Sequence, residues 1–150
     1  MIKFKSKRGV TLTELLVIIA ILGILALIGI PAFRGYQPSL ELSRAVRGLI
    51  GDLRYAQQLT VSEQIEHGVR FSTSTDSYQI VKHLQPEQIL EEKNLPNEVN
   101  FQLITGFGDS EAVFNPYGAA KESGTITLIN SKNTTSTIEV SPSGFVKIIK

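Results

Sequence analysis

Glu14 makes the sharpest chemical demand in this sequence. It stands at the head of Leu15–Ile30, sixteen residues without a polar side chain. As a helix that run is roughly 24 Å long, a little short of a ~30 Å hydrocarbon core. Extending it from Val10 to Phe33 gives about 36 Å, but brings Glu14 inside. A carboxylate near the middle of a membrane helix costs about 2.5–3.5 kcal/mol, and less near its end. Something should offset that cost.

No constellation in the chain supports catalysis. His67 and His83 stand alone in sequence, and the chain has no cysteine, hence no thiolate site and no disulfide framework. No Ser sits in a nucleophile elbow, and no Gly-rich loop joins a strand to a helix. Asp109 and Glu111 could offer oxygens to Ca²⁺, but two carboxylates fall short of its usual six to eight ligands. Neither a metal nor a cofactor is expected, and no enzymatic activity.

Charge is distributed unevenly. The net charge of +1 includes Lys3, Lys5, Lys7 and Arg8, all before Gly9. Removing those four from fifteen Lys and Arg leaves eleven against fourteen Asp and Glu, a net of −3. A basic start followed by an apolar run has the order of a secretory signal. Gly29-Ile30-Pro31-Ala32 is a poor cleavage site, so an uncleaved anchor is one reading, with the basic end cytoplasmic and the C-terminus outside.

Lys7-Arg8-Gly9-Val10-Thr11-Leu12-Thr13-Glu14-Leu15-Leu16-Val17 resembles the N-terminal signal of type IV prepilins and type II secretion pseudopilins. The resemblance implies cleavage by prepilin peptidase between Gly9 and Val10, N-methylation of Val10, and Glu14 as the carboxylate that pairs with an N-terminal amine during assembly. Gly9, without a Cβ, would let the peptidase approach the backbone closely. The freed α-amine of Val10 would lie four residues before Glu14, on the same face of a helix. Each charge is expensive alone where a helix enters apolar surroundings, and pairing removes most of that penalty. Gly23 and Pro31 fall where that family often has Gly and a kinking Pro. Val10 and Thr13 depart from its commonest residues, Phe and an aliphatic. Implied partners are other pilins or pseudopilins in a helical filament, the peptidase, an inner-membrane assembly platform, and membrane lipid before assembly.

The rest of the chain must carry a body. Pro31 and Pro38 each remove a helical N–H, which predicts kinks or a short break, with Ser39 as N-cap of a restart. Leu42, Val46, Leu49, Leu53, Ala56 and Thr60 follow 4-3-4-3-4 spacing, an amphipathic helix that needs cover for one face. Arg44, Arg47 and Arg54 lie mostly off that stripe and read as a solvated face rather than a nucleic-acid patch. From Gly68 the period becomes two. Seven or eight short strands follow, separated by turns such as Asn115-Pro116-Tyr117-Gly118 and Ser141-Pro142-Ser143-Gly144.

The expected fold is α+β: a long N-terminal helix, transmembrane then amphipathic, packed on a C-terminal antiparallel sheet or two-sheet domain. The expected division is a leader at 1–9, a membrane and fibre-core helix at 10–33, its amphipathic continuation at 34–66, and a β-rich domain at 67–150. Leu49, Asp52-Leu53-Arg54-Tyr55-Ala56, Val69, Phe71, Val113–Gly118, Gly124–Leu128 and Gly144-Phe145-Val146 are similar to GspH/FimT-type minor pseudopilins. That resemblance implies a structural subunit of a type II secretion pseudopilus or type IV pilus. It sits in the inner membrane with its C-terminal domain outside, and is later assembled into a filament. DNA is the alternative partner, as for FimT-like subunits of DNA-uptake pili. Those bind through an Arg-rich C-terminus, where this chain has only Lys147 and Lys150.

Overall fold

The computed structural model describes residues 9–149, with residues 30–34 described by their backbone alone. Helix α1, Leu12–Glu63, is followed by eight strands: β1 His67–Ser72, β2 Ser77–Lys82, β3 Gln88–Asn94, β4 Val99–Thr105, β5 Glu111–Phe114, β6 Gly124–Asn130, β7 Thr135–Val140 and β8 Val146–Ile149. They form two antiparallel four-stranded sheets, ordered β3-β2-β1-β5 and β4-β6-β7-β8. The chain divides into two compact units, one ending at Gln37 and the other beginning at Pro38.

α1 is assigned as helix without interruption through Pro31 and Pro38, so the expected break and the restart capped by Ser39 are absent. A proline deletes one i→i−4 hydrogen bond and crowds one carbonyl. That bends helices more often than it ends them when both flanks are strongly helical.

In the unit beginning at Pro38, Leu42, Val46, Leu49, Leu53, Ala56 and Thr60 of α1 are all buried. All but Thr60 join Val69, Phe71, Tyr78, Ile80, Ala112 and Phe114 from the first sheet in one apolar cluster. Val99, Phe101, Ile126, Leu128, Ile138, Val140 and Val146 of the second sheet complete it. Period 3.6 on the helix and period 2 on the strands thus point at the same interior.

Three polar ties fix how these elements meet. At the helix end, Gln64 takes φ 57°, turning the chain out of α1 as a left-handed cap. Buried Thr60 donates its hydroxyl to the Ala56 carbonyl at 2.9 Å and accepts from the His67 N–H at 3.0 Å, joining helix to β1. Midway along the helix, Asp52 accepts from the Tyr78 hydroxyl at 2.7 Å and from Lys93 Nζ at 2.8 Å. In the β1–β2 turn, Asp76 accepts from the Phe101 N–H at 2.9 Å and from Asn100 Nδ2 at 3.0 Å, while its carbonyl accepts from the Leu95 N–H at 2.8 Å.

Two turns rest on the helix through one side chain. Gln57 Nε2 donates to the Gly118 carbonyl, and a Cβ on Gly144, at φ +80°, would land on that carbonyl and on Gln57. Both glycines are therefore required by backbone angle, and Gly144 by space as well.

Candidate assembly segment and body surface

The N-terminal segment is built from its cap outward. Thr11 precedes the first helical residue, and its Oγ1 accepts from the Glu14 N–H at 3.2 Å. This satisfies one of the orphan donors of the first turn. The Thr11-x-x-Glu14 spacing is that of a capping box, a signal readable from the sequence that the expectations above did not use. Glu14 therefore sits in the first turn, where the helix dipole favours a negative charge.

Gly9 and Val10 are exposed and outside the helix, and nothing lies within 4 Å of a Cβ built on Gly9. In this chain, which still carries residues 1–9, α1 begins two residues after Val10, with Thr11 at the cap; the expected shared face of Val10 and Glu14 belongs to the cut chain. The Gly9–Val10 pair, where cleavage was expected, is an accessible, non-helical stretch. Lys3, Lys5, Lys7 and Arg8 lie outside the described residues. Pro31 contributes helical backbone, and its side chain is also outside the description.

Leu12–Gly29 is long and apolar enough to cross a membrane, with mean hydropathy 2.7 and none of its residues buried by the rest of the chain. Such a surface must be covered by lipid or by other protein.

The body's remaining polar residues are mostly committed to one another. Glu111 is nearly buried on the first sheet. Its Oε2 accepts from Arg70 Nε at 2.9 Å and lies 2.8 Å from Nη2, and its Oε1 lies 2.7 Å from His83 Nε2. Gly68 makes the slot for that carboxylate, since a Cβ there would collide with it. Arg70 also holds Glu87, at 2.7 and 2.9 Å. The Glu87 hydrogen bond, with Glu111 behind it, raises the Arg70 pKa, and Arg70 in turn lowers that of Glu87.

Glu111 is thus spent on a guanidinium and an imidazole. Asp109, in a 3₁₀ turn at φ 51°, has no third ligand beside it: no group of three metal-binding side chains occurs among the described residues. His67 is fully buried, with Nδ1 2.9 Å from the Ile65 carbonyl. Glu63, at the end of α1, meets Lys82 Nζ at 2.6 Å, which lowers its pKa. None of these pairings was legible beforehand. Arg70 and Glu111 are 41 residues apart, and only strand pairing brings them together.

Of the basic residues weighed for nucleic acid, Arg44 and Arg47 are exposed, and Arg54 donates Nη2 to the Val146 carbonyl at 3.2 Å. Lys147 is paired with Glu139 at 3.0 Å, and Lys150 lies outside the described residues.

An apolar helix leading into a two-sheet antiparallel body is the pilin fold, here joined to a prepilin-type N-terminus. Residues 4–30 match the family model described as the prokaryotic N-terminal methylation motif. Two proteins of Pseudomonas aeruginosa, each named fimbrial protein, are 45% identical over 42 residues, covering 28% of this chain and 27% of each relative. The chain spans about a quarter of the length of those relatives in the match.

The fold is similar to that of the minor pseudopilin EpsH from the type 2 secretion system of Vibrio cholerae. The TM-score is 0.63 at 10% identity, over 73% of this chain and 96% of that one. It is also similar to the type IV minor pilin FimU of Pseudomonas aeruginosa, with TM-score 0.60 at 13% identity, over 77% of this chain and 92% of that one. At such identities the likeness is one of fold.

Proposed function

We propose that this chain is a non-enzymatic structural subunit of a type II secretion pseudopilus or type IV pilus, a GspH/FimT-like minor pseudopilin. The observation that carries the reading is the co-occurrence of the methylation motif at residues 4–30 with a pilin-fold body. Before assembly the subunit waits in the inner membrane as a single-pass protein, held by Leu12–Gly29, with its C-terminal domain outside the cytoplasm. Prepilin peptidase cuts between Gly9 and Val10, the exposed non-helical pair, and Val10 is methylated. An assembly platform then moves the subunit from lipid into a filament of pilins or pseudopilins, where the apolar helix becomes part of the core and Pro31 supplies a kink.

Glu14 is the residue that tells those two environments apart. In the filament its carboxylate pairs with an N-terminal amine, which removes most of the penalty either charge suffers alone.

Mass spectrometry of the native protein from cells containing the peptidase tests processing. The expected chain begins at methylated Val10, and one still beginning at Met1 sinks the proposal. Glu14→Val is expected to insert in the membrane normally and to fail in fibre incorporation. Wild-type incorporation of that variant removes the pairing role.

A further inference from the structure

The cations of the body behave in two ways. Arg70, Lys82, Lys93, Lys121 and Lys147 each hold a carboxylate at 2.6–3.0 Å. Arg44, Arg47 and Arg54 of α1 hold none among the described residues, although all three are exposed. At 100° per residue they share an arc of about 80° with Gly51 and Gln58, pointing away from buried Leu49 and Leu53. No Asp or Glu is exposed between residues 40 and 58: Glu41 and Asp52 are half-buried, and Asp52 is taken by Tyr78 and Lys93. Gly48 and Gly51 add no side chain to this face, and nothing lies within 4 Å of a Cβ built on either. The arginines therefore stand on a level, acid-free surface. Two half-exposed aromatic rings, Tyr55 and Phe145, border the groove beside Arg54.

Unpaired guanidinium groups on a level face call for an anionic surface, and the chain itself brings one near. The apolar span Leu12–Gly29 ends fifteen residues before Arg44, roughly 22 Å of helix. A body tethered at that length meets the bilayer surface at an effective concentration on the order of millimolar, so weak attraction suffices. A nucleic acid has no such tether. It would approach from solution a body that, from Pro38 on, carries ten Lys and Arg against thirteen Asp and Glu. Arginine beside exposed aromatic rings is also the chemistry of the headgroup level, where guanidinium meets phosphate and the rings meet the acyl boundary.

We propose that the Arg44, Arg47 and Arg54 face of α1 binds anionic phospholipid headgroups and lays the body against the bilayer that holds its anchor. The guanidinium forks take phosphate oxygens, and Gly48 and Gly51 let the headgroup plane come close. Screening by salt or loss of anionic lipid frees the body. The inference rests on the reading of Leu12–Gly29 as a membrane anchor and adds a second lipid contact to it, one that the subunit must break on leaving the membrane.

The test uses the full chain in lipid nanodiscs, one copy per disc. The chain has no cysteine, so Gly51→Cys carries a single fluorophore on the face. Gln102→Cys carries the reference probe at an exposed position on β4, across the second sheet from β8, whose Val146 meets Arg54. Discs are made of phosphatidylcholine alone or mixed with phosphatidylglycerol, each with a trace of lipid bearing a quencher on its headgroup. Phosphatidylglycerol is expected to raise quenching at position 51 at least about twofold and to leave position 102 unchanged, with the rise lost at high salt. The exposed pair Arg44→Gln, Arg47→Gln is expected to abolish the rise. Equal quenching in both lipids, an equal rise at both positions, or a rise that survives the double variant would each overturn the inference. So would duplex DNA added in solution if it displaced the face from the lipid. A retained chain whose position 51 ignores phosphatidylglycerol overturns this inference and leaves the anchor standing. A chain that the discs fail to retain overturns both.

Discussion

α1 uses apolar residues in two ways along its length. From Leu12 to Gly29 every residue is uncovered by the chain, and Leu22, Leu25 and Ile28 expose 60–70% of their surface. From Leu42 to Thr60 the apolar residues form one stripe, and Leu49, Leu53 and Ala56 are completely buried. The first stretch is apolar all round and the second on one side only, the difference between a helix that awaits a surrounding phase and one that already has its core. A single element is therefore finished at one end and unfinished at the other. The unfinished end needs lipid or other subunits.

That contrast is open to direct attack. Leu49→Ala or Leu53→Ala is expected to lower the body's unfolding free energy by about 2–5 kcal/mol in denaturant titrations of the micelle-bound chain. Leu22→Ala is expected to leave the same transition in place, and an equal loss from both ends would erase the distinction.

The two threonines at the helix ends make a second, smaller comparison. Thr60→Val strands a buried His67 N–H and should cost about 1–3 kcal/mol in the same titration. Thr11→Ala should cost about 1 kcal/mol of local helix stability, read as faster exchange at the Glu14 amide, with Thr11→Ser restoring it.

The smallest effect concerns pH. Burial, together with the hydrogen bond to Asp52, pushes the Tyr78 hydroxyl pKa well above its ordinary value. The folded state then holds the proton longer than the unfolded chain. The stability from this group is full below about pH 10 and is lost as pH rises from there toward the raised folded value. Alkaline denaturation is expected to steepen above that pH in the wild type and to be shallower in Tyr78→Phe. Identical curves would remove Tyr78 from the account.

Much of this architecture was legible in the sequence because its signals are local. The Gly9-to-Glu14 spacing, the 4-3-4-3-4 stripe from Leu42 and the alternation from Gly68 each occupy a few consecutive turns or strands. What escaped were contacts between distant positions. Arg70 and Glu111 meet only once β1 and β5 pair, and Asp52 meets Lys93 only once β3 joins the sheet beneath α1. At Pro31 and Pro38 the local rule allowed kinks or a short break, and the helical stretches on either side exclude the break.

Asp76 has a consequence for how the body comes apart. Its three hydrogen bonds tie the β1–β2 turn to Leu95, Asn100 and Phe101, so a corner of the first sheet is also the rim of the second. Neither sheet can loosen at that corner without exposing the polar groups of the other. The two sheets should therefore open as one cooperative unit rather than as separate foldons, with force applied to one shared by both.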